Sequence, residues 1–182
     1  MNPMDILAEY CDRRSKVFDI LAAHGDQVAR KALVTAERVS HLKPDFKLIE
    51  NAAMLHDIGI LETDSPGLGC HGRHPYVCHG ILGRKMLESC GVPAYGLICE
   101  RHIGVGISAE DIRQRNLPLP PRDMLPVTIE EQIICYADKF FSKSGNGRKA
   151  EEKSVEKIIA GLRRYGPEKV KRFQSWVEMF ED

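Results

Sequence analysis

Residues 46–59 read FKLIENAAMLHDIG, and this stretch decides how the chain folds. Its apolar side chains recur at spacings of three and four, which is the period of an amphipathic helix. Asp45 precedes the stretch as a helix-start signal, and Gly59 is a reasonable stop signal. His56 falls on the apolar stripe, and Asp57 follows it directly. The stretch therefore predicts a helix that carries a histidine and a carboxylate into the protein interior.

The rest of the chain shows the same helical period, and no useful length of it alternates as a strand would. Residues 116–126 hold four prolines and cannot form a regular helix, and the glycine-rich stretch 61–73 is predicted to be a loop. We expect an all-α bundle, with residues 1–145 as its main domain and 146–182 as a C-terminal pair of helices packed on it. Six predicted helices cover about 13–40, 46–58, 74–90, 93–102, 151–164 and 167–181. Two more begin at the capping-box signatures of Ser108 and Thr128.

The composition is that of a globular chain with balanced charge. The chain has 182 residues, of which 43% are hydrophobic, 26 are basic and 26 are acidic. Proteins that bind nucleic-acid polymers or membrane surfaces carry excess Lys and Arg, so this balance argues against both classes. The sequence shows no secretion signal, and its six cysteines form no C-x-x-C pair. We therefore expect a cytoplasmic protein with free thiols.

Four histidines and two carboxylates fall on or beside the inward stripes of five predicted helices. A carboxylate buried among apolar side chains is costly unless a cation compensates it. Helix bundles build metal sites from inward side chains on facing helices, and these ligands suit divalent Fe, Mn, Zn, Co or Mg. For any one histidine, the alternative is a hydrogen-bonded core side chain. The candidate ligands are His24, His56, Asp57, His79, His102 and Asp138.

The order of these residues resembles the HD superfamily of metal-dependent phosphohydrolases, in particular its small, stand-alone prokaryotic HDIG members. The resemblance covers roughly residues 15–145 and implies an all-helical HD-domain bundle. It rests on His24, the run His56-Asp57-Ile58-Gly59, His79 with Gly83, His102, and the run Tyr136-Ala137-Asp138-Lys139.

The resemblance implies one or two divalent ions, with Asp57 as a catalytic residue that bridges them. A hydroxide activated by the ions would attack the phosphorus of a small, nucleotide-like monoester, diester or anhydride. The first ion would be held by His24, His56, Asp57 and Asp138, and the second by Asp57, His79 and His102.

Ile60 departs from two branches of the superfamily. HDIG proteins that cleave cyclic dinucleotides carry Lys at this position and a later Gly-Tyr-Pro motif, whereas the single-metal nucleotidases carry Glu there; neither feature occurs here. The six-ligand pattern resembles that of the di-iron diadenosine polyphosphate hydrolases. Two alternatives stay open: an HD-type di-iron oxygenase, and a regulatory ligand-binding module.

A phosphorylated substrate also needs cations beyond the metal ions. Lys139 follows Asp138 and is predicted to act in catalysis and substrate binding. Lys143 and Arg148 belong to a basic, glycine-rich stretch that could clamp a phosphate, and Arg101 stands next to His102. For the stretch around Lys143, the alternative is a solvated linker.

Two further patterns have structural interpretations. Cys70, His71, His74 and Cys78 cluster in sequence, but their spacing does not match that of common zinc sites. An apolar stripe on the last predicted helix is typical of core packing, although it could also serve a homodimer. This stripe consists of Phe173, Trp176, Val177 and Phe180.

Overall fold

The computed structural model describes residues 2–143 and 150–181. Those residues form an all-α fold, which confirms the predicted class. The α-helices are α1 (Pro3–Tyr10), α2 (Lys16–Arg38), α3 (Phe46–Leu55), α4 (His79–Ser89), α5 (Pro93–Arg101), α6 (Ala109–Gln114), α7 (Ile129–Lys139), α8 (Val155–Leu162) and α9 (Pro167–Glu181). Short 3-10 helices cover Ser40–Leu42, Ile58–Glu62, Pro66–Leu68, Tyr76–Cys78 and Arg163–Tyr165.

Side-chain caps fix where several helices begin. The side chain of Thr128 accepts a hydrogen bond from Glu131 N at the start of α7, and Glu131 reciprocates, so the predicted capping box is present. The second predicted box, between Ser108 and Asp111, starts α6. Asp45 accepts from the first amides of α3, where the sequence predicted the helix to begin.

The predicted helices 46–58 and 74–90 are shorter in the structure, where α3 ends at Leu55 and α4 begins at His79. Two further elements were not predicted. Helix α1 was not predicted, although Asn2 caps it and proline occupies its first turn. The predicted loop contains a small antiparallel hairpin of β1 (Asp64–Ser65) and β2 (Cys70–His71). Strands of two residues are too short for an alternating pattern to show in sequence.

Helix α2 packs against α3 and also contacts α7 and α9. A β-carbon on Gly25 would lie 3.0 Å from the α-carbon and the carbonyl oxygen of Met54, so this glycine permits the close approach of the two helices. Its position inside an unbroken α2 brings His24 towards the C-terminal end of α3.

The C-terminal helices share the main core with the rest of the bundle. The ring of Tyr136 stacks on Phe173 at 5.5 Å and meets Phe180 edge-on at 5.1 Å. Phe173, Trp176 and Phe180 are all buried, so this apolar stripe packs within the chain. Among the described helices, none is both long and apolar enough to cross a bilayer.

Candidate metal centre

The structure brings all six predicted ligands together in the interior, each at most 6% exposed. Five helices position these ligands. The six side chains are His24 within α2, His56 and Asp57 directly after α3, His79 at the first residue of α4, His102 directly after α5, and Asp138 near the end of α7.

One group of donors surrounds a single oxygen of Asp57. His24 Nε2 lies 3.2 Å from Asp57 Oδ2 and 3.0 Å from Asp138 Oδ1. His56 Nε2 lies 3.1 Å from Asp57 Oδ2 and 3.5 Å from Asp138 Oδ1. The donor atoms of these four residues all lie within 4.8 Å of one another, close enough to share one ion.

The second group surrounds the other oxygen of the same carboxylate. His79 Nε2 and His102 Nε2 each lie 3.3 Å from Asp57 Oδ1 and 3.2 Å from each other. Asp57 therefore presents one oxygen to each group, so each group could hold an ion of its own.

Backbone carbonyls orient three of the four imidazoles. In each case Nδ1 faces the carbonyl oxygen three residues earlier, so a proton on Nδ1 is donated there and Nε2 is left as the ligand atom. The pairs are His56 with Ala53 at 2.6 Å, His79 with Tyr76 at 2.6 Å, and His102 with Cys99 at 2.7 Å.

Two glycines allow the segments that carry Asp57 and His79 to touch. A β-carbon on Gly59 would lie 2.0 Å from the carbonyl oxygen of His79 and 2.3 Å from the amide nitrogen of Gly83. On Gly83 it would lie 2.2 Å from Cys99 Sγ. Larger residues at either position would separate the two groups of ligands.

The charges in the centre favour bound cations. Burial disfavours ionised Asp57, but the positive charges of His56 and Lys143 outweigh it and hold its pKa well below the ordinary value. Burial also disfavours ionised Asp138, but the positive charge of Lys139 and hydrogen bonds from His24 and His56 outweigh it and hold the pKa of Asp138 well below its ordinary value. Two ionised carboxylates in an interior require cationic partners.

Three of the four histidines divide into two kinds. Burial lowers the pKa of His79 to about 3 and also lowers that of His102, so both are neutral, as metal ligands must be. For His56, burial is outweighed by the charges of Asp57 and Asp138, which raise its pKa to about 10. The two carboxylates therefore favour a positive charge beside them, and a bound cation would supply that charge in place of the proton on His56.

The residues fit divalent metal ions. Among the described residues, no hydrogen bond of acceptable geometry satisfies the buried atoms His24 Nδ1, His56 Nε2, or either carboxylate oxygen of Asp57. Unsatisfied buried polar atoms are costly, and a cation would satisfy those that face the centre. Histidine and carboxylate ligands suit Fe, Mn, Zn or Co. In the described part of the chain, the segment from Cys70 to Cys78 forms no comparable group.

Two predicted cations lie at the centre. Lys139 Nζ lies 3.0 Å from Asp138 Oδ2, and Lys143 Nζ lies 2.7 Å from Asp57 Oδ2.

Tyr76, which the sequence analysis missed, places its ring 4.7 Å from that of His79. The sequence could have indicated Tyr76 by its position three residues before His79, because that spacing lets the carbonyl of Tyr76 orient the imidazole of His79.

The other two predicted substrate ligands are placed differently. Arg101 Nη1 donates to Glu131 Oε1 at 2.7 Å, next to the capping box of α7. That guanidinium would have to leave its buried partner to reach a substrate, so its role stays a prediction. Arg148 lies outside the described residues.

A cavity of about 610 Å³ adjoins the centre, and Tyr76 and Lys139 line it. This volume falls within the range of small-molecule sites, about 300–1,000 Å³. Helices α8 and α9 contribute part of its wall, together with the residues that follow α5. A small substrate could therefore lie beside the six ligands.

Comparison with known proteins places these features in a family. The model of the HD domain matches residues 6–142. The uncharacterized protein MJ0778 of Methanocaldococcus jannaschii is 40% identical over 95 residues, which are 52% of this chain and 48% of that protein. A tRNA (cytidine(56)-2'-O)-methyltransferase of Thermoplasma volcanium is 31% identical over 125 residues, 68% of this chain and 32% of that protein. The matches therefore span half or less of both relatives.

Solved structures show the same fold. The HD domain of the L. monocytogenes phosphodiesterase PgpH superposes with a TM-score of 0.54 at 15% identity, over 96% of this chain and 94% of that one. Its complex with cyclic-di-AMP superposes with a TM-score of 0.53 at 14% identity, over 96% and 92% of the two chains. Because the family model matches most of the chain and this fold is shared, the chain belongs to the HD domain family.

Proposed function

We propose that this protein is a metal-dependent phosphohydrolase that cleaves a phosphoester or phosphoanhydride bond of a small, nucleotide-like substrate. The observation that carries the proposal is the position of Asp57, whose two oxygens face two separate groups of buried donors. A regulatory binding module has no need of such a carboxylate. A two-ion hydrolase needs one, because its ions must lie close together.

The donors divide between two ions. When bound, divalent ions lower the pKa of coordinated water to about 7 and neutralise the charge that develops on phosphoryl oxygens. The proposed ligands of the first are His24, His56, Asp57 and Asp138, and those of the second are Asp57, His79 and His102.

Side chains of this protein would bind and orient the phosphoryl group. The ammonium groups of Lys139 and Lys143 pair with carboxylates of the centre, and the same groups can turn to phosphoryl oxygens once cations satisfy those carboxylates. The phenol of a tyrosine ionises only near pH 10, so the hydroxyl of Tyr76 is protonated at neutral pH and can donate a hydrogen bond to the substrate.

The comparisons support a phosphorylated, nucleotide-type ligand. PgpH is a phosphodiesterase, and its HD domain was solved with cyclic-di-AMP. The whole relative from T. volcanium is a tRNA methyltransferase, but this chain spans only 32% of it, so that name does not carry over to this chain.

The test is hydrolysis of aryl phosphates, phosphodiesters and nucleotides by protein loaded with Fe, Mn, Zn or Co. Asp57→Asn should lose more activity than the roughly 10–100-fold that removal of an outer orienting partner costs a metal site. His41→Asn alters an exposed histidine outside the centre and should leave activity unchanged. Full activity in Asp57→Asn would overturn the proposal. Oxygen consumption without phosphate release would favour an oxygenase instead.

A further inference from the structure

Of the residues that the structure describes, six basic ones line the cavity beside the metal centre, and only one of them, Lys139, pairs with a carboxylate of the centre. Lys139 and Lys169 line it, and each has a carboxylate partner. Within residues 2–143 and 150–181, no carboxylate lies within ion-pair distance of the four remaining cations on its wall. Those four are Arg115, Lys153, Lys157 and Arg164.

These cations form two clusters. Lys153 is partly buried, and burial together with the charges of Lys139, Lys143 and Lys157 lowers its pKa. The backbone amide of Lys153 donates a 2.9 Å hydrogen bond to the carbonyl of Phe140, which holds the backbone of this residue next to the end of α7, and the residue lines the cavity. The crowding of ammonium groups is unfavourable unless an anion lies among them.

The second cluster surrounds Tyr165. The guanidinium of Arg115 lies 5.0 Å from the ring centroid of Tyr165, and that of Arg164 lies 4.7 Å from it. Arg115 also donates to the carbonyl of Tyr165 at 2.8 Å. One aromatic ring therefore holds two guanidinium groups at the cavity wall, and both keep donors free for a ligand.

Apolar side chains complete the wall, so the cavity suits a ligand with an uncharged body. The apolar residues are Val77, Ile103, Val105, Ile107, Leu117, Ile158 and Leu162. Gly161 also lines the cavity, and a β-carbon there would meet nothing within 4 Å. A glycine inside α8 weakens the helix but keeps this space open.

We infer that the cavity binds a second anionic group of the substrate, and that the substrate therefore carries phosphoryl groups on two sides of an apolar, ring-sized body. One group would lie at the metal centre, and Arg115 and Arg164 would bind the other. This inference rests on the proposed function. Arg164 and Tyr165 follow the family match at 6–142, whereas Arg115 lies within it, so the C-terminal part of the chain would supply only part of this subsite.

The first experiment compares two substrates on the metal-loaded full chain. The probes are adenosine 3′,5′-bisphosphate and p-nitrophenyl phosphate, which has one phosphate. Arg164→Gln should raise KM for the bisphosphate by about 10-fold, as expected for one charge-assisted contact, and leave kcat/KM for p-nitrophenyl phosphate unchanged. Arg163→Gln removes a neighbouring exposed arginine that does not line the cavity and should change neither.

The second experiment measures binding without catalysis. In calorimetric titrations of the metal-stripped full chain with adenosine 3′,5′-bisphosphate, Arg164→Gln should weaken binding by about 10-fold and Arg163→Gln should not. Gly161→Leu, which fills open space and favours the helix, should weaken binding at least as much without lowering the melting temperature.

The outcomes separate the two proposals. Binding that depends on Arg164, in a protein that hydrolyses no phosphate ester, would support the subsite and overturn the hydrolase. Hydrolysis with equal KM values in wild type, Arg164→Gln and Gly161→Leu would overturn the subsite alone. Equal losses in Arg164→Gln and Arg163→Gln would also overturn it, because they would indicate general charge attraction.

Discussion

Gly59 packs so closely against His79 that a β-carbon on the glycine would lie 2.0 Å from the histidine's carbonyl oxygen. The contact joins the segment that carries Asp57 to the start of α4. The distance between the two groups of ligands therefore depends on the absence of one methyl group. Backbone atoms on both sides leave no flexible side chain that could yield.

We expect Gly59→Ala to destabilise the fold by about 1–3 kcal/mol, as overpacking does, and to weaken metal binding by the second group. In a chain of this size, each kcal/mol lowers Tm by roughly 2–4 °C. Gly67→Ala is the matched control, because a β-carbon there would meet nothing within 4 Å. Equal Tm values for wild type and Gly59→Ala would contradict the close contact.

The two groups of ligands should lose their ions separately. His79→Ala removes a donor of the second group only, so elemental analysis should find about one divalent ion per chain where wild type binds two. His74→Ala, an exposed histidine outside both groups, should retain the wild-type content. Two ions per chain in His79→Ala would show that the second group is assigned wrongly.

The ion pair of Asp111 and Lys169 should make stability depend on pH. Burial opposes the ionised form of Asp111, but hydrogen bonds from Lys169 and Ser108 outweigh it and lower its pKa to about 2. Because the folded pKa lies below the unfolded one, Asp111 stabilises the fold above about pH 4 and loses that effect as the pH falls towards 2.

Urea unfolding at pH 7, 4 and 3 tests this dependence. Asp111→Asn should be less stable than wild type at pH 7, and the difference should shrink at pH 3. Asp64→Asn changes an exposed carboxylate and serves as the control. A stability difference between wild type and Asp111→Asn that stays constant from pH 7 to pH 3 would contradict the assignment.

The C-terminal helices should unfold together with the rest of the bundle. Phe173 is fully buried and stacks on Tyr136 of α7, so Phe173→Ala should cost about 3–5 kcal/mol in urea unfolding. Met179→Ala, at an exposed position of the same helix, should cost little. Fluorescence and circular dichroism should report one shared transition. Two separate transitions would indicate that the helices form an independent unit.

The sequence predicted that the six candidate ligand side chains face the interior, because burial and helical period are local signals. Each of His24, His79 and Asp138 is marked by its own apolar stripe, and its neighbours three and four residues away suffice to show that it faces inward. The resemblance to a family then assigned the six residues to two ions, and the structure places those residues together.

Contacts between side chains that are far apart in sequence left no local pattern from which they could be predicted. Arg101 contacts Glu131 across 30 residues, and nothing near either residue indicates this partner. The cavity depends on how Arg115 and Arg164 approach Tyr165 from separate parts of the chain. Helix α1 buries only Ile6 and Leu7, which is too few apolar positions for a period to stand out.

With ions bound as proposed, the contact between Lys143 and Asp57 would link metal loading to substrate capture. An ammonium and a divalent cation repel each other, so an ion that binds Asp57 Oδ2 must displace Lys143 Nζ from its position 2.7 Å away. A phosphate that holds the displaced lysine would make ion binding more favourable. By thermodynamic reciprocity, the ion would then strengthen phosphate binding by the same factor, so the two would bind with positive cooperativity.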